Sequence, residues 1–181
     1  MKKWIVAGLC ALLLLSAIPV FAADEVGLAG KSEIMASGSW VKLSTEGGSI
    51  TLTTVGVTYG KFVNANTEAQ LGLIYANAAE FADLKATILA PAVAYHFLPT
   101  SGNSATVPYL GAGLVYARVS ESGVSETSTK LQYFAGVKFF IGGDYKTANK
   151  NVFLEYRRTN VEFGTMDATV NMVWAGISTV F

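Results

Sequence analysis

Two-residue alternation of side-chain character is the feature that most restricts how this chain can fold. It is clearest in residues 131–141, LQYFAGVKFFI, where every odd position is apolar or aromatic and the even positions are mixed. Successive side chains of a strand point to opposite faces, so this segment predicts a strand with two different faces. The apolar face could lie in the core of a soluble sandwich or against lipid in a membrane barrel, and this one strand does not decide between them.

The same alternation recurs along the chain, separated by polar or glycine-rich breaks such as TEGGS and PTSGNSA, which are typical of turns. It predicts eight strands, over residues 31–43, 49–62, 68–77, 85–97, 107–119, 130–141, 152–159 and 169–181. A spacing of roughly twenty residues suits strands of about 9–11 residues that cross a bilayer at a tilt. In the first two strands the alternation allows either face to point inward. Pro91 lies within the fourth strand and predicts a bulge, because proline donates no ladder hydrogen bond.

Aromatic residues fall into two groups near opposite ends of the predicted strands. One group comprises Tyr59, Phe62, Tyr95, Phe97, Tyr109, Phe139, Phe153 and Phe181, and the other Trp40, Tyr75, Tyr116, Tyr133 and Tyr156. Tyr133 and Phe139 share one face, about 20 Å apart along their strand. Rings at both ends of an apolar band are typical of a barrel that spans a membrane. A soluble periplasmic barrel remains the alternative.

The N-terminus has the layout of a secretory signal peptide. Lys2 and Lys3 precede an apolar run, Pro19 follows it, and small residues at Val20 and Ala22 predict cleavage near Ala22. We therefore expect a signal peptide over residues 1–22 and one barrel domain over 23–181. The full chain has 13 basic and 13 acidic residues, so no basic excess indicates a nucleic-acid partner.

The last residues, GISTVF, place Ile177, Thr179 and Phe181 on one face of the final strand. This ending resembles the C-terminal signal that bacterial outer-membrane barrels present to their assembly machinery, with Thr179 where that signal often has tyrosine. The run "AYHFLPTSGNSATVPYLGAGLVYA" is similar to the fourth-strand, turn and fifth-strand region of OmpW-like and OmpA-like eight-stranded barrels. The resemblance implies an outer-membrane location and, from the OmpW-like members, passage of small solutes that include hydrophobic ones.

An eight-stranded barrel has an interior just wide enough to be filled with side chains. The polar residues assigned inward are Glu33, Ser37, Ser39, Gln70, Gln132, Lys138, Glu155 and Arg157, together with Trp174. We predict that Glu33, Gln132, Lys138, Glu155 and Arg157 form a polar network in the lumen. That network either plugs the lumen or lines a narrow path.

No combination of residues predicts catalysis, a cofactor or a metal. His96 is the sole histidine, and we expect it to face water at the end of its strand. The predicted outer connections, residues 44–48, 77–84, 120–129 and 160–167, are short. The third is expected to be flexible, and the fourth offers Phe163 and Met166 to lipopolysaccharide.

The sequence thus predicts an all-β, eight-stranded antiparallel up-and-down transmembrane barrel in a bacterial outer membrane. Its function would be non-enzymatic, either structural or the passage of small solutes. A surface-binding module acting through the loops, or a lipid-modifying enzyme, is the alternative. The expected partners are outer-membrane lipid, lipopolysaccharide and the barrel-assembly machinery, and the expected oligomeric state is a monomer.

Overall fold

Eight antiparallel strands form a closed barrel in which each strand pairs with the next and the last pairs with the first. This computed structural model describes residues 27–45, 48–78, 85–99, 104–121, 124–163 and 166–181. The strands are β1 Ser32–Thr45, β2 Gly48–Phe62, β3 Thr67–Ala78, β4 Lys85–His96, β5 Thr106–Glu121, β6 Val124–Phe140, β7 Lys150–Phe163 and β8 Met166–Val180. The predicted fold class is confirmed. The predicted signal peptide over residues 1–22 lies outside the described residues. The described residues contain no helix long and apolar enough to span a bilayer.

The barrel closes where β8 meets β1, over the pairs from Glu33↔Val180 to Ser39↔Trp174. The last residue takes part in this closure. The backbone N–H of Phe181 donates to the carbonyl oxygen of Ser32 at 2.8 Å. The backbone N–H of Ser32 in turn donates to the backbone oxygen of Phe181, also at 2.8 Å. The terminal phenylalanine is therefore fixed by its backbone to the first strand.

The alternation sorts side chains between the lumen and an outer apolar wall. In β1, whose facing the sequence left open, Glu33, Met35 and Ser39 are buried, while Ile34 and Trp40 are exposed. The exposed wall includes Val55, Val57, Leu73, Val93, Leu110, Leu114, Leu131, Leu154, Val173 and Ile177. An apolar wall that extends around the barrel is what lipid-facing strands require.

The predicted bulge at Pro91 is wrong. The β4–β5 register has the same offset before and after Pro91, from Leu89↔Tyr116 to Ala92↔Gly113, so no extra residue is inserted. Pairing with β5 is interrupted only at Ala90 and Pro91, while Leu71↔Pro91 pairing with β3 continues. The interruption lets the barrel accept a residue that has no N–H to donate.

The third outer connection is also shorter than predicted. β5 continues to Glu121 and β6 begins at Val124, so most of the segment 120–129 is paired strand rather than flexible loop. Ser120 and Ser125 face each other with their hydroxyl oxygens 3.1 Å apart. Among the described residues, Val124–Leu131 pair only with β5, so this hairpin projects beyond the β6–β7 wall.

The connection between β6 and β7, residues 141–149, folds against the opposite end of the barrel, where β1 begins and β8 ends. Gly142 begins it with φ 82°, a left-handed conformation that favours glycine. Asp144 then accepts hydrogen bonds from the Thr147 hydroxyl and from backbone amides, and these bonds lower the pKa of its carboxyl. This turn places Tyr145 and Ala148 under the barrel, where both are buried.

Candidate functional site: the barrel lumen

Apolar side chains close the lumen at the end of the barrel where β1 begins and β8 ends. Leu28, from the segment before β1, is fully buried there, as are Phe62 and Val107. We call this cluster the terminal plug, and its members are Leu28, Phe62, Val107, Phe140, Tyr145, Ala148 and Val180, with Leu98 packed against them. Four strands and two connections contribute to the terminal plug, so it covers the lumen from several sides.

A group of charged and polar residues lies against Phe62 of the terminal plug, and we call it the ionic layer: Glu33, Glu68, His96, Lys138, Asn151 and Ser178. The Lys138 ammonium donates to Oε2 of Glu33, and its Nζ lies 3.4 Å from Oε2 of Glu68. The other oxygen of Glu33 accepts from Ser178 and from Asn151, the latter at 3.1 Å. The three charged residues come from β6, β1 and β3, so their contacts cross the lumen.

His96 belongs to the ionic layer, and the prediction that it faces water is wrong. Its exposed fraction is 0%, and its Nε2 lies 2.9 Å from Oε2 of Glu68. The ring packs between Phe62 and Tyr109, with centroid distances of 5.0 and 5.3 Å. His96 shares the inward face of Ala92 and Ala94, because the alternation of β4 continues to its last residue.

Glu155 and Arg157 form a second polar group nearer the middle of the lumen. Arg157 donates to Oε1 of Glu155 through Nε at 2.9 Å, and its Nη2 lies 2.7 Å from the same oxygen. The Tyr109 hydroxyl donates to the other oxygen, Oε2, at 3.0 Å. The guanidinium lies 5.2 Å from the ring centroids of both Phe134 and Trp174, a distance at which cation–π attraction applies.

The structure places all five residues of the predicted polar network in the lumen, but in three separate settings. Glu33 and Lys138 belong to the ionic layer, and Glu155 and Arg157 form the second group. Gln132 lies apart from both, donating to the Leu114 carbonyl oxygen at 3.4 Å. The sequence reading missed Glu68, although it is on the same strand and face as Gln70, which was assigned inward and donates to Glu68 at 2.9 Å.

The predicted aromatic belt lies on the outer wall. Exposed fractions range from 42% for Tyr75 to 68% for Trp40, and Tyr116 is half-buried. Ile177 and Phe181 are exposed at 64% and 65%, and Thr179 shares their face. Three other aromatic residues were wrongly grouped with the belt: Phe62, Tyr109 and Phe153 are buried and point inward. Each lies two residues from an inward-facing residue of its own strand, so its side chain points inward too. Those neighbours are Gly60, Val107 and Glu155.

Among the described residues, no group of three or more His, Cys, Asp or Glu side chains is placed to hold a metal ion. Every carboxylate of the two polar groups is engaged by a neighbouring side chain. The charged groups of the described interior are therefore paired with one another, as buried charges must be, while single buried atoms such as Glu68 Oε1 and His96 Nδ1 have no hydrogen-bond partner among the described residues.

The fold of this barrel is similar to those of solved bacterial outer-membrane proteins. Neisserial surface protein A has 20% identity and a TM-score of 0.69, with 84% of this chain and 99% of that chain covered. The N-terminal β-barrel domain of Pseudomonas aeruginosa OprF has 18% identity and a TM-score of 0.62, with 84% and 98% covered. OprG from the same organism has 14% identity and a TM-score of 0.55, with 86% and 97% covered. At these identities the likeness concerns the fold.

No curated protein matches the sequence significantly. A family model describing the outer membrane protein β-barrel domain does match, over residues 8–181. That match extends over nearly the whole sequence and agrees with the closed eight-stranded barrel and its apolar outer wall. The chain therefore belongs to the outer membrane protein β-barrel domain family.

Proposed function

We propose that this protein is a non-enzymatic structural barrel of the outer membrane whose lumen is closed to solutes. The observation that carries the proposal is the contact of Lys138 with both Glu33 and Glu68 across the lumen. The exposed fraction is 1% for Lys138 and 0% for each glutamate. A water-filled path would hydrate these charges, so their burial favours a plugged interior.

The terminal plug supports the same conclusion. A solute that passed the ionic layer would next meet the apolar side chains of Leu28, Phe62 and Val107, all at 0% exposure. Opening a path would expose these side chains to water and separate the ion pairs beside them. Both changes are costly, because apolar burial and the pairing of buried charges each stabilise the closed form.

The environment of His96 supports a non-enzymatic role. A general base must lie within hydrogen-bond reach of a substrate proton. His96 is enclosed by Phe62, Tyr109 and Glu68, so a substrate has no access to its ring in this arrangement. We infer that the protein acts through its lipid-facing wall and outer surface, and we expect it to be a monomer.

Ion conductance in a planar bilayer tests the closed lumen. The refolded protein is first shown to be folded and inserted, by its heat-dependent gel mobility and by protection from protease. The expected result is a silent bilayer. Reproducible current steps from the folded, inserted protein would contradict the proposal and favour the passage of small solutes.

Two variants make the measurement specific to the lumen. Arg157→Ala removes a half-buried inward side chain, and Tyr156→Ala removes its exposed neighbour on the lipid face. If the terminal plug closes the barrel, both variants remain silent. A further variant, Phe62→Ala with Leu28→Ala, removes two large members of the terminal plug, and steps from it would show that the ionic layer alone does not close the lumen.

The projecting β5–β6 hairpin favours surface binding as a second candidate function. Its outer part, Val124–Leu131, lies before Gln132, where the register of β6 with β7 begins, and Ser125, Thr127 and Thr129 are exposed on it. Phe163 and Met166, suggested above as lipopolysaccharide contacts, have side chains outside the described set. A variant in which residues 119–126 are replaced by a two-residue turn should lose attachment to host cells or matrix if this candidate holds. Unchanged attachment would remove it.

A further inference from the structure

Two cations lie side by side on the outer wall near the end of the barrel opposite the terminal plug. Lys85 opens β4 and Arg118 lies near the end of β5, and both side chains are exposed. The register pairs Lys85 with Ser120 and Thr87 with Arg118, so the two cations are diagonal neighbours on one face. Such neighbours have Cα atoms about 7–8 Å apart, within reach of two long side chains.

Hydroxyl groups surround this pair of cations. Ser120 lies directly opposite Lys85, and Thr87 and Thr127 lie directly opposite Arg118 on its two sides. All of them occupy outward positions of their strands. The Lys85–Arg118 site therefore combines two positive charges with three hydroxyl donors, which is the chemistry that binds a phosphate group.

The level of the site along the barrel matches that of lipid headgroups. Tyr116, a member of the outer aromatic belt, precedes Arg118 by two residues on the same face. Tyr75 pairs directly with Thr87, and Lys85 lies two residues further toward the outer end. Aromatic rings mark the boundary of the hydrocarbon region, so the cations just beyond them lie at headgroup depth.

Neither cation has a counter-charge among the described side chains. No described carboxylate forms an ion pair with Lys85 or Arg118, whereas each charged residue of the ionic layer has a partner. Neighbouring like charges on a sheet repel one another. An anion bound between them would remove that repulsion.

We propose that Lys85 and Arg118 form a binding site for the phosphate groups of lipopolysaccharide in the outer leaflet. The site lies on the lipid-facing wall at headgroup depth, so its ligand reaches it from the bilayer. The two cations neutralise the phosphate, and Ser120, Thr87 and Thr127 donate hydrogen bonds. The site would fix the barrel to a defined lipid and is independent of whether the lumen conducts.

Lipid binding by the folded full-length barrel tests this proposal. Affinity is measured in detergent for diphosphorylated lipid A, for the same lipid A without phosphates, and for phosphatidylglycerol. We expect diphosphorylated lipid A to bind most tightly, phosphatidylglycerol less tightly and lipid A without phosphates least tightly, and we expect binding of the two phosphorylated lipids to weaken as salt is raised. Equal affinity for lipid A with and without phosphates, or for lipid A and phosphatidylglycerol, would overturn the proposal.

Substitutions locate the site. Lys85→Gln and Arg118→Gln should each lower the affinity for diphosphorylated lipid A about five-fold, the effect of one basic residue near an anionic surface. The matched control is Lys150→Gln, which removes an exposed cation at the other end of the barrel and should change affinity less than about two-fold. If the control lowers affinity as much as the other two, the attraction belongs to the whole protein and the site is excluded. The wild-type comparison with dephosphorylated lipid A decides the proposal even where a variant folds poorly.

Discussion

Lys138 on β6 contacts Glu33 on β1 across the lumen, joining two strands that lie three places apart around the barrel. The same ammonium reaches Glu68 on β3, so one cation links three parts of the wall. Backbone pairing connects each strand only to its two neighbours. The ionic layer therefore adds cross-links that the sheet cannot provide.

Replacing Lys138 with methionine should destabilise the barrel strongly. The substitution leaves Glu33 and Glu68 buried without their cation, a change that typically costs about 3–5 kcal/mol. Urea-induced unfolding in detergent measures the free energy of unfolding. Adding Glu33→Gln and Glu68→Gln to Lys138→Met should recover part of the loss, because neutral amides need no counter-charge. A triple variant no more stable than Lys138→Met would contradict this account.

Gly136 is a position where even one methyl group has no room. A Cβ at Gly136 would lie 2.6 Å from Cζ of Tyr109, its cross-strand partner, and 2.7 Å from the Leu154 carbonyl oxygen. We expect Gly136→Ala to lower the free energy of unfolding by about 1–3 kcal/mol, as overpacking does. Gly38→Ala is the control, since the nearest atom to its Cβ would be a carbonyl oxygen at 3.5 Å. Equal unfolding midpoints for the two variants would show that Tyr109 does not need the space at Gly136.

Sequence alternation was sufficient to place Lys138, Glu155 and Arg157 in the lumen, because each lies on a strand whose alternation is clear. It also gave the number of strands and most of their bounds. The hydrophobic period is a direct consequence of strand geometry, so it is visible without a structure.

Two of the errors, at Glu68 and His96, lie where strands begin or end. Each of these residues lies beside a connection, and a polar residue beside a turn is ordinarily expected to face water. The side chains of Glu68 and His96 are buried instead, because Leu28 and residues 141–149 cover this end of the barrel. Without that cover the two side chains would lie at the open edge of the barrel. Contacts between distant segments decide this burial, and no local pattern in the chain reports them.

His96 should be unreactive in the folded barrel. Diethyl pyrocarbonate modifies accessible imidazole nitrogens, and the His96 ring is fully buried between Phe62 and Tyr109. We expect the modification rate, followed by mass spectrometry, to be at least about ten-fold lower in the folded than in the unfolded protein, because reaction requires local opening. Similar rates in the two states would place His96 at the surface, as the sequence reading had it.

Removing Phe181 should reduce assembly in the outer membrane. Its backbone makes two hydrogen bonds to Ser32 at the seam between β8 and β1, and its ring is exposed on the outer wall. Deleting the residue removes the two hydrogen bonds and the ring, whereas Phe181→Ala keeps the backbone and removes only the ring. The amount of folded protein in the outer membrane is compared for the two variants and the wild type. A loss in both would show that the ring itself is read during assembly, and a loss in the deletion alone would assign the effect to closure of the seam. Wild-type amounts of the deletion variant would refute the prediction.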